Sequence, residues 1–407
     1  MRSSNNTNQG FSQQQTKKNN TTLLFNLIRK RTPVSRIQLA RITGLSATTV
    51  SFLVSELIEN GLIYEEHDES IEGMGRKPKF LYVRGEGEYF FVIDLFRRSF
   101  FCSLYDLNIE KVDSCKVPAD TSGDFDILDA MLQILDSHKI DKNLVGGVSV
   151  VYPGPVLKDH SNVLASTTEL FISPDVMERN FTRMRAVFGD MPIRVDNDSS
   201  IFAFAEHIFG DRKKNVRQMT IEYSEGIGSA LILTNNDAEC EFYFPVEIGH
   251  IITEVGGPVC KCGNQGCFEA ACNIIKIIGS VNEKAGLSLP TEDGFDSEIN
   301  KDSMRAIGQL LDEGSKPVTE ALNEAVEKIT RWLVGIISAD QPDYIYLCGG
   351  IVLLGEKFLD MINAELKKYT IMNQDNSMTV KHSIVDHEIK RKGAAVMILN
   401  EVYSFEN

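Results

Sequence analysis

The chain has 407 residues, 43% hydrophobic and 24% charged, a balance that fits a globular protein large enough for two or three cores. No run of 18 apolar residues exists, which excludes a membrane-spanning helix, and the N-terminus lacks the apolar stretch of a secretory signal, so the expected location is the cytoplasm. The formal charge of −15 is unevenly spread: residues 1–84 hold 12 Lys/Arg against 7 Asp/Glu, and the remainder 30 against 50, so phosphate contact is expected at the head alone.

Residues 1–20 are nearly free of apolar side chains and are expected to form a disordered tail. From Thr21 onward, Leu23, Leu24, Leu27 and Ile28 fall at helical spacing. In "PVSRIQLARITGLSATTVSFLVSELIENGLI", Ser35 and Gln38 make a capping box that opens a short helix, and Gly44 supplies the left-handed residue that ends it. Ser46 then caps another helix, whose Val50, Leu53, Val54, Leu57 and Ile58 form one apolar stripe. Two short helices around a Gly turn, behind a preceding helix, make a helix-turn-helix. Its last helix belongs in the major groove, with Ser46, Ala47, Thr48, Thr49 and Ser51 near the bases; a plain three-helix bundle is the alternative. "KFLYV" alternates as a wing strand, so residues 21–84 read as a winged helix with its linker. Arg76 and Lys77, between Gly75 and Pro78, are either a minor-groove hook or part of a solvated linker.

From about residue 85 to the end, strands alternate with helices, which argues an α/β body. "YFFVIDLFRRSFFCSLYDL" reads as two strands around a reversal at Arg97-Arg98. "NLVGGVSVVYPGPV" is a buried strand ending in a Pro-Gly loop, and "PIRVDNDSSIFAFAEHIFG" is a strand, a polar turn and a helix. "RQMTIEYSEGIGSALIL" is a Gly-interrupted strand pair, "PDYIYLCGG" a strand with a Gly-Gly turn, and "GAAVMILNEVY" opens the last helix. Polar and Gly residues gather at the carboxyl ends of strands, where open sheets bind ligands.

The stretch "VEIGHIITEVGGPVCKCGNQGCFEAACN" carries His250, Cys260, Cys262 and Cys267. One imidazole and three thiolates suit tetrahedral Zn²⁺ with no open position, a structural site, and argue against Mg²⁺ or Ca²⁺. Gly263 and Gly266 permit the tight loop that brings the sulfurs together.

In order along the chain, "PGPV", "VDND", "EGIG", "EIGH", the Cys cluster, "CGG" and "GAA" resemble the ROK family of repressors and sugar kinases. With the winged helix in front, the likeness narrows to sugar-responsive repressors of the NagC/Mlc/XylR type. It implies a two-lobed, actin-like, sugar-kinase-type body with a sugar in the cleft. The residues matching the family's sugar contacts are Asn197, Asp198, Glu247, His250 and Glu269. Asp198 also matches the catalytic base of the kinases. The family's first phosphate loop reads Asp-x-Gly-Gly-Thr, whereas Asp94-Leu95-Phe96-Arg97-Arg98 stands here; the second reads Gly-Thr-Gly, whereas Ser224-Glu225-Gly226 stands here. Bulk replaces the glycines and a carboxylate faces the phosphates, so both nucleotide contacts are impaired.

The expectation is a non-enzymatic, sugar-responsive repressor of carbohydrate-utilisation genes. It would bind operator DNA as a homodimer or tetramer, with Asp198 a vestigial base. Xylose, glucose, N-acetylglucosamine and their phosphates all stay open as effectors. An ATP-dependent hexose or N-acetylhexosamine kinase is the rival, and a DNA-binding scaffold with a body used only for dimerisation is a third class.

Overall fold

The structure, a computed structural model, describes residues 13–67, 79–96, 99–118, 126–164, 173–237, 239–292, 297–369 and 378–404. Among these no helix is long and apolar enough to cross a membrane.

The head consists of α1 (Gln13–Arg31), α2 (Arg36–Thr43), α3 (Ala47–Glu59) and the antiparallel pair β1 (Ile63–His67) and β2 (Lys79–Val83). Its local signals act as the sequence implies. The Ser35 hydroxyl accepts from the Gln38 amide while the Gln38 side chain accepts from the Ser35 amide, and Gly44 leaves α2 at φ 71°. The Ser46 hydroxyl accepts from the Thr49 amide at 3.0 Å, starting α3. Leu39, Val50, Leu53, Val54 and Leu57 close on Leu24, Phe25 and Ile28 of α1, and Val34 bridges to Leu81 of β2.

One expectation is corrected. Residues 13–20, expected in the disordered tail, are the first turns of α1. Gln and Lys are good helix formers whatever their polarity, and Lys17 is tied to Glu56 of α3 at 2.6 Å.

The body holds two sheets of the same plan. The first comprises β3 (Tyr89–Phe96), β4 (Ser99–Asp106), β5 (Lys111–Pro118), β6 (Val145–Tyr152) and β7 (Ile193–Asn197), with α4 (Ile127–His138) and α5 (Pro174–Phe188) packed on it. The second comprises β8 (Arg217–Tyr223), β9 (Ile227–Thr234), β10 (Cys240–Pro245), β11 (Tyr344–Cys348) and β12 (Thr379–His382). The orders are β5-β4-β3-β6-β7 and β10-β9-β8-β11-β12. In each, three antiparallel strands are followed by two joined in parallel. Between them runs α6 (Asp198–Phe209). The second lobe adds α7 (Phe268–Cys272), α8 (Ile274–Ala285), α9 (Glu298–Asp312), α10 (Lys316–Asp340) and α11 (Glu356–Leu366), whose apolar faces form one core around Trp332 and Phe268.

The last helix, α12 (His387–Val402), returns to pack on β3, β6 and α6. Gly393 makes this crossing possible, because a Cβ there would lie 2.8 Å from the Ala205 methyl. The helix therefore begins at His387, ahead of the "GAA" motif rather than at it. The C-terminal end of α12 carries the head: the Phe25 ring packs tilted against Tyr403 with centroids 4.2 Å apart, Asn26 donates to the Tyr403 carbonyl at 2.9 Å, and Arg29 donates to Asn400 at 2.6 Å.

Candidate functional site

A cavity of about 320 Å³ opens between the lobes. Its wall includes Pro153 to Pro155 after β6, Asn197 to Ser199 at the β7–α6 junction, Glu222, Gly226 to Ser229, and Pro245 to Glu247 with His250 and Glu269. All five residues expected at the sugar site meet there. Asn197 and Asp198 follow β7 of the first sheet, Glu247 and His250 follow β10 of the second, and Glu269 comes from α7.

Asn197 is the N-cap of α6: its side-chain oxygen accepts from the Ser200 amide at 3.2 Å and its nitrogen donates to the Gly154 carbonyl at 3.0 Å. It therefore positions the junction as well as lining the cavity. Asp198, the next residue, accepts from the Ser199 amide at 2.8 Å. Burial at the base of the cleft raises its carboxyl to about 6, against the opposing pull of the nearby Lys390 ammonium. Glu269 enters from α7 and accepts from the Ile227 amide at 2.8 Å, fixing the mouth of β9. Glu247 stands at the lip, largely exposed, 3.9 Å from His250 Nε2.

His250 faces two ways. Its Nδ1 lies 3.6 Å from Cys260 Sγ, while Nε2 turns towards Glu247. Cys262 and Cys267 sulfurs are 3.7 Å apart, and the four ligand atoms all lie within 4.8 Å of one another. Zn–S bonds of about 2.3 Å in a tetrahedron set sulfurs roughly 3.8 Å apart, so the donors fit that ion in type and spacing. The loop is made by short-range contacts: Cys260 N donates to Asn264 O at 2.8 Å and Gly266 N to Pro258 O at 2.8 Å. At Gly266, φ is 85° and a Cβ would fall 1.9 Å from the Glu254 carbonyl, so only glycine fits.

The two loops that would cradle triphosphate are engaged internally. Asp94, fully buried at the end of β3, accepts from Lys390 at 2.8 Å and Arg391 at 3.4 Å. The Lys390 ammonium sits over the rings of Phe96 and Phe202, at 5.2 and 5.1 Å. Arg97 and Arg98 lie outside the described residues. In the other lobe, the Gly350 amide donates to Ser224 Oγ at 2.8 Å, and Glu225 accepts from Asn300 at 2.7 Å and the Ser297 amide at 3.3 Å.

A cluster behind the cavity is not evident in the sequence. Arg194 clasps Asp196 through two bonds of 2.6 and 3.0 Å, reaches Glu401 of α12 at 2.8 Å, and donates to the Tyr243 hydroxyl of β10. His160 Nδ1 approaches Asp196 at 2.8 Å. Burial would raise the Asp196 carboxyl, but His160 and Arg194 hold it below its ordinary value. The only sequence hint is that Arg194 and Asp196 flank Val195 on a strand ending in "DND".

In the head, Ser46, Ala47, Thr48 and Ser51 are exposed and Thr49 is half-buried. Arg76 and Lys77, the candidate hook, lie outside the described residues.

The ROK family profile matches residues 91–401, which is most of the chain. The chain belongs to the ROK family. Among its relatives, the xylose repressor of Bacillus subtilis (strain 168) is 25% identical over 396 residues, covering 94% of this chain and 96% of that one. The regulator NagC of Escherichia coli (strain K12) is 24% identical over 376 residues, covering 90% and 89%. A crystal structure of a ROK family transcriptional regulator, a homolog of the E. coli Mlc protein, superposes with a TM-score of 0.74 at 21% identity, over 96% of this chain and 97% of its own. A ROK hexokinase from Thermus thermophilus superposes with a TM-score of 0.56 at 18% identity, over 76% of this chain and 97% of its own. The ROK fold thus extends through both lobes, and the likeness to the regulator takes in the head as well.

Proposed function

We propose that the chain is a sugar-responsive transcriptional repressor of carbohydrate-utilisation genes, acting in the cytoplasm as a homodimer on operator DNA. The observation that carries this reading is a division within one cleft: Asn197, Asp198, Glu247, His250 and Glu269 line one open cavity, while Asp94 and Glu225, at the positions of the two phosphate loops, are held by protein partners. Two relatives matched over about nine-tenths of their length or more, one named a xylose repressor and one a DNA-binding transcriptional dual regulator, support it. Xylose is the first effector to test, because one of those relatives is named for it.

Asp198, Glu247 and Glu269 offer carboxylate acceptors to sugar hydroxyls, and Nε2 of His250 offers a donor, since its other nitrogen faces the thiolates. Zinc, when bound, cross-links the loop and makes no chemistry of its own, four protein ligands leaving no position for water. Sugar draws the lobes together and alters the Arg194–Tyr243 contact between them. Arg194 also holds Glu401, and α12 holds α1, so the change reaches the head. Two sites, two states and unequal sugar affinity for them are the requirements.

The kinase reading is tested by ADP release with sugar and ATP. No turnover is expected; a rate of roughly one per second or more, ordinary for a kinase, would overturn the repressor reading. The repressor reading itself is tested by gel shift on the DNA flanking the protein's own gene, with and without a sugar panel.

A further inference from the structure

The outer face of α3 has an unusual chemical make-up for a helix that reads DNA. Thr48, Ser51, Phe52 and Ser55 share one face at helical spacing, opposite the buried Val50, Leu53, Val54 and Leu57. Phe52 is 60% exposed, although it sits on a helix whose other large apolar side chains pack inward. From Ala47 to Glu59 there is no Arg, Lys, Asn or Gln. The helix therefore lacks the side chains that bind guanine or adenine by two hydrogen bonds. Its acids, Glu56 and Glu59, lie in the last turns, and Glu56 is held by Lys17. The neighbouring Arg36 is committed as well, to Glu65 at 2.8 Å and to the Ser51 carbonyl at 2.9 Å. What remains are hydroxyls, which accept either purine edge or pyrimidine edge, and apolar surface. In the major groove, the apolar feature of a base pair is the 5-methyl group of thymine.

Resting on the DNA-binding reading above, we propose that Phe52 is a specificity-determining residue that reads thymine methyl groups in each operator half-site. Lys17 adjoins this placement: its ammonium, bonded to Glu56, lies 5.2 Å from the centre of the Phe52 ring, so that cation is committed within the head and the ring's exposed surface is left to contact the bases. Thr48, one turn earlier on the same face, contributes a second methyl. The helix thus discriminates by methyl burial and shape rather than by paired hydrogen bonds.

The test starts from a duplex selected out of a random pool by the full-length protein. Each thymine in the enriched half-site is then replaced, one at a time, by uracil, which lacks only the methyl. At one or two positions affinity is expected to fall about fourfold, the worth of one buried methyl group. With Phe52→Ala, whose exposed site leaves the fold intact by circular dichroism, thymine and uracil duplexes should bind alike at that position. Selection with Phe52→Arg should enrich guanine there instead. A half-site in which every thymine tolerates uracil overturns the assignment, as does a thymine preference that survives in Phe52→Ala. A Phe52→Ala protein that changes oligomeric state but not base preference also overturns it, assigning the ring to a protein contact. A pool that yields no enriched duplex overturns the DNA-binding reading as well.

Discussion

Asp198 carries the clearest single-residue expectation. Its carboxyl is raised from 3.8 to about 6 by burial, so the folded protein holds the proton more tightly than the unfolded chain does. The stability this group contributes is full below pH 4 and is lost as the pH rises through 6. Sugar binding runs the other way, because an ionised carboxylate is the better acceptor. Calorimetric titration from pH 7.5 to pH 5 should show affinity falling by about tenfold, as the ionised fraction of such a group does. Asp198→Asn should lose about 1.5–3 kcal/mol of sugar affinity, the worth of a charged hydrogen bond, and flatten that profile. An unchanged profile in the variant would place the titrating group elsewhere. At this scale the sequence is readable where partners are close along the chain. The four candidate metal donors fall between residues 250 and 267, and Ser35 finds Gln38 three residues on. Arg194 and Glu401 are 207 residues apart, and nothing local marks either as the other's partner.

Two elements have separable duties. The Cys loop reaches the cavity's lip through His250, and if its four donors hold zinc, as proposed, Cys262→Ser should lower bound zinc below one ion per chain by elemental analysis. It should also lower the melting temperature, by roughly 2–4 °C for each 1 kcal/mol lost. Equal zinc content in wild type and variant would contradict the assigned ligand set. The helix α12 has the second duty: its Glu401 holds Arg194 of β7, the strand that ends at Asn197, and the Tyr403 carbonyl after it holds Asn26 of α1. Glu401→Gln should leave sugar affinity and sugar-free operator affinity close to wild type. It should shrink the sugar-induced change in operator affinity from an ordinary allosteric factor of about 5 to 150 towards none. Competition binding on the same duplex reads this directly, and an undiminished response would remove Arg194–Glu401 from the coupling. Caps and stripes made α2 and α3 legible in advance. The start of α1 was not, because polar composition resembles a tail until Lys17 meets Glu56, 39 residues away.

The whole molecule repeats one five-stranded plan in two lobes, and no repeated motif in the chain announces it. Only the strand orders reveal the correspondence, since β11 reaches its place between β8 and β12 after some 120 residues of intervening chain. The alternation of strands and helices, by contrast, was visible, because each strand is bounded by polar or Gly residues. What the assembled molecule adds is continuity: the head's core and the base of the first lobe form one apolar cluster, from Leu24 and Phe25 to Ala394 and Ile398. A head seated in this way is expected to follow the body's conformation rather than hang from it. The most direct measurement is the dissociation constant of the full-length protein for its selected operator, by fluorescence anisotropy, without sugar and with a sugar held at saturation. Weaker binding with sugar, by a factor of about five or more, is the predicted result. Equal affinity in the two conditions, with the cleft shown to be occupied, would contradict the account.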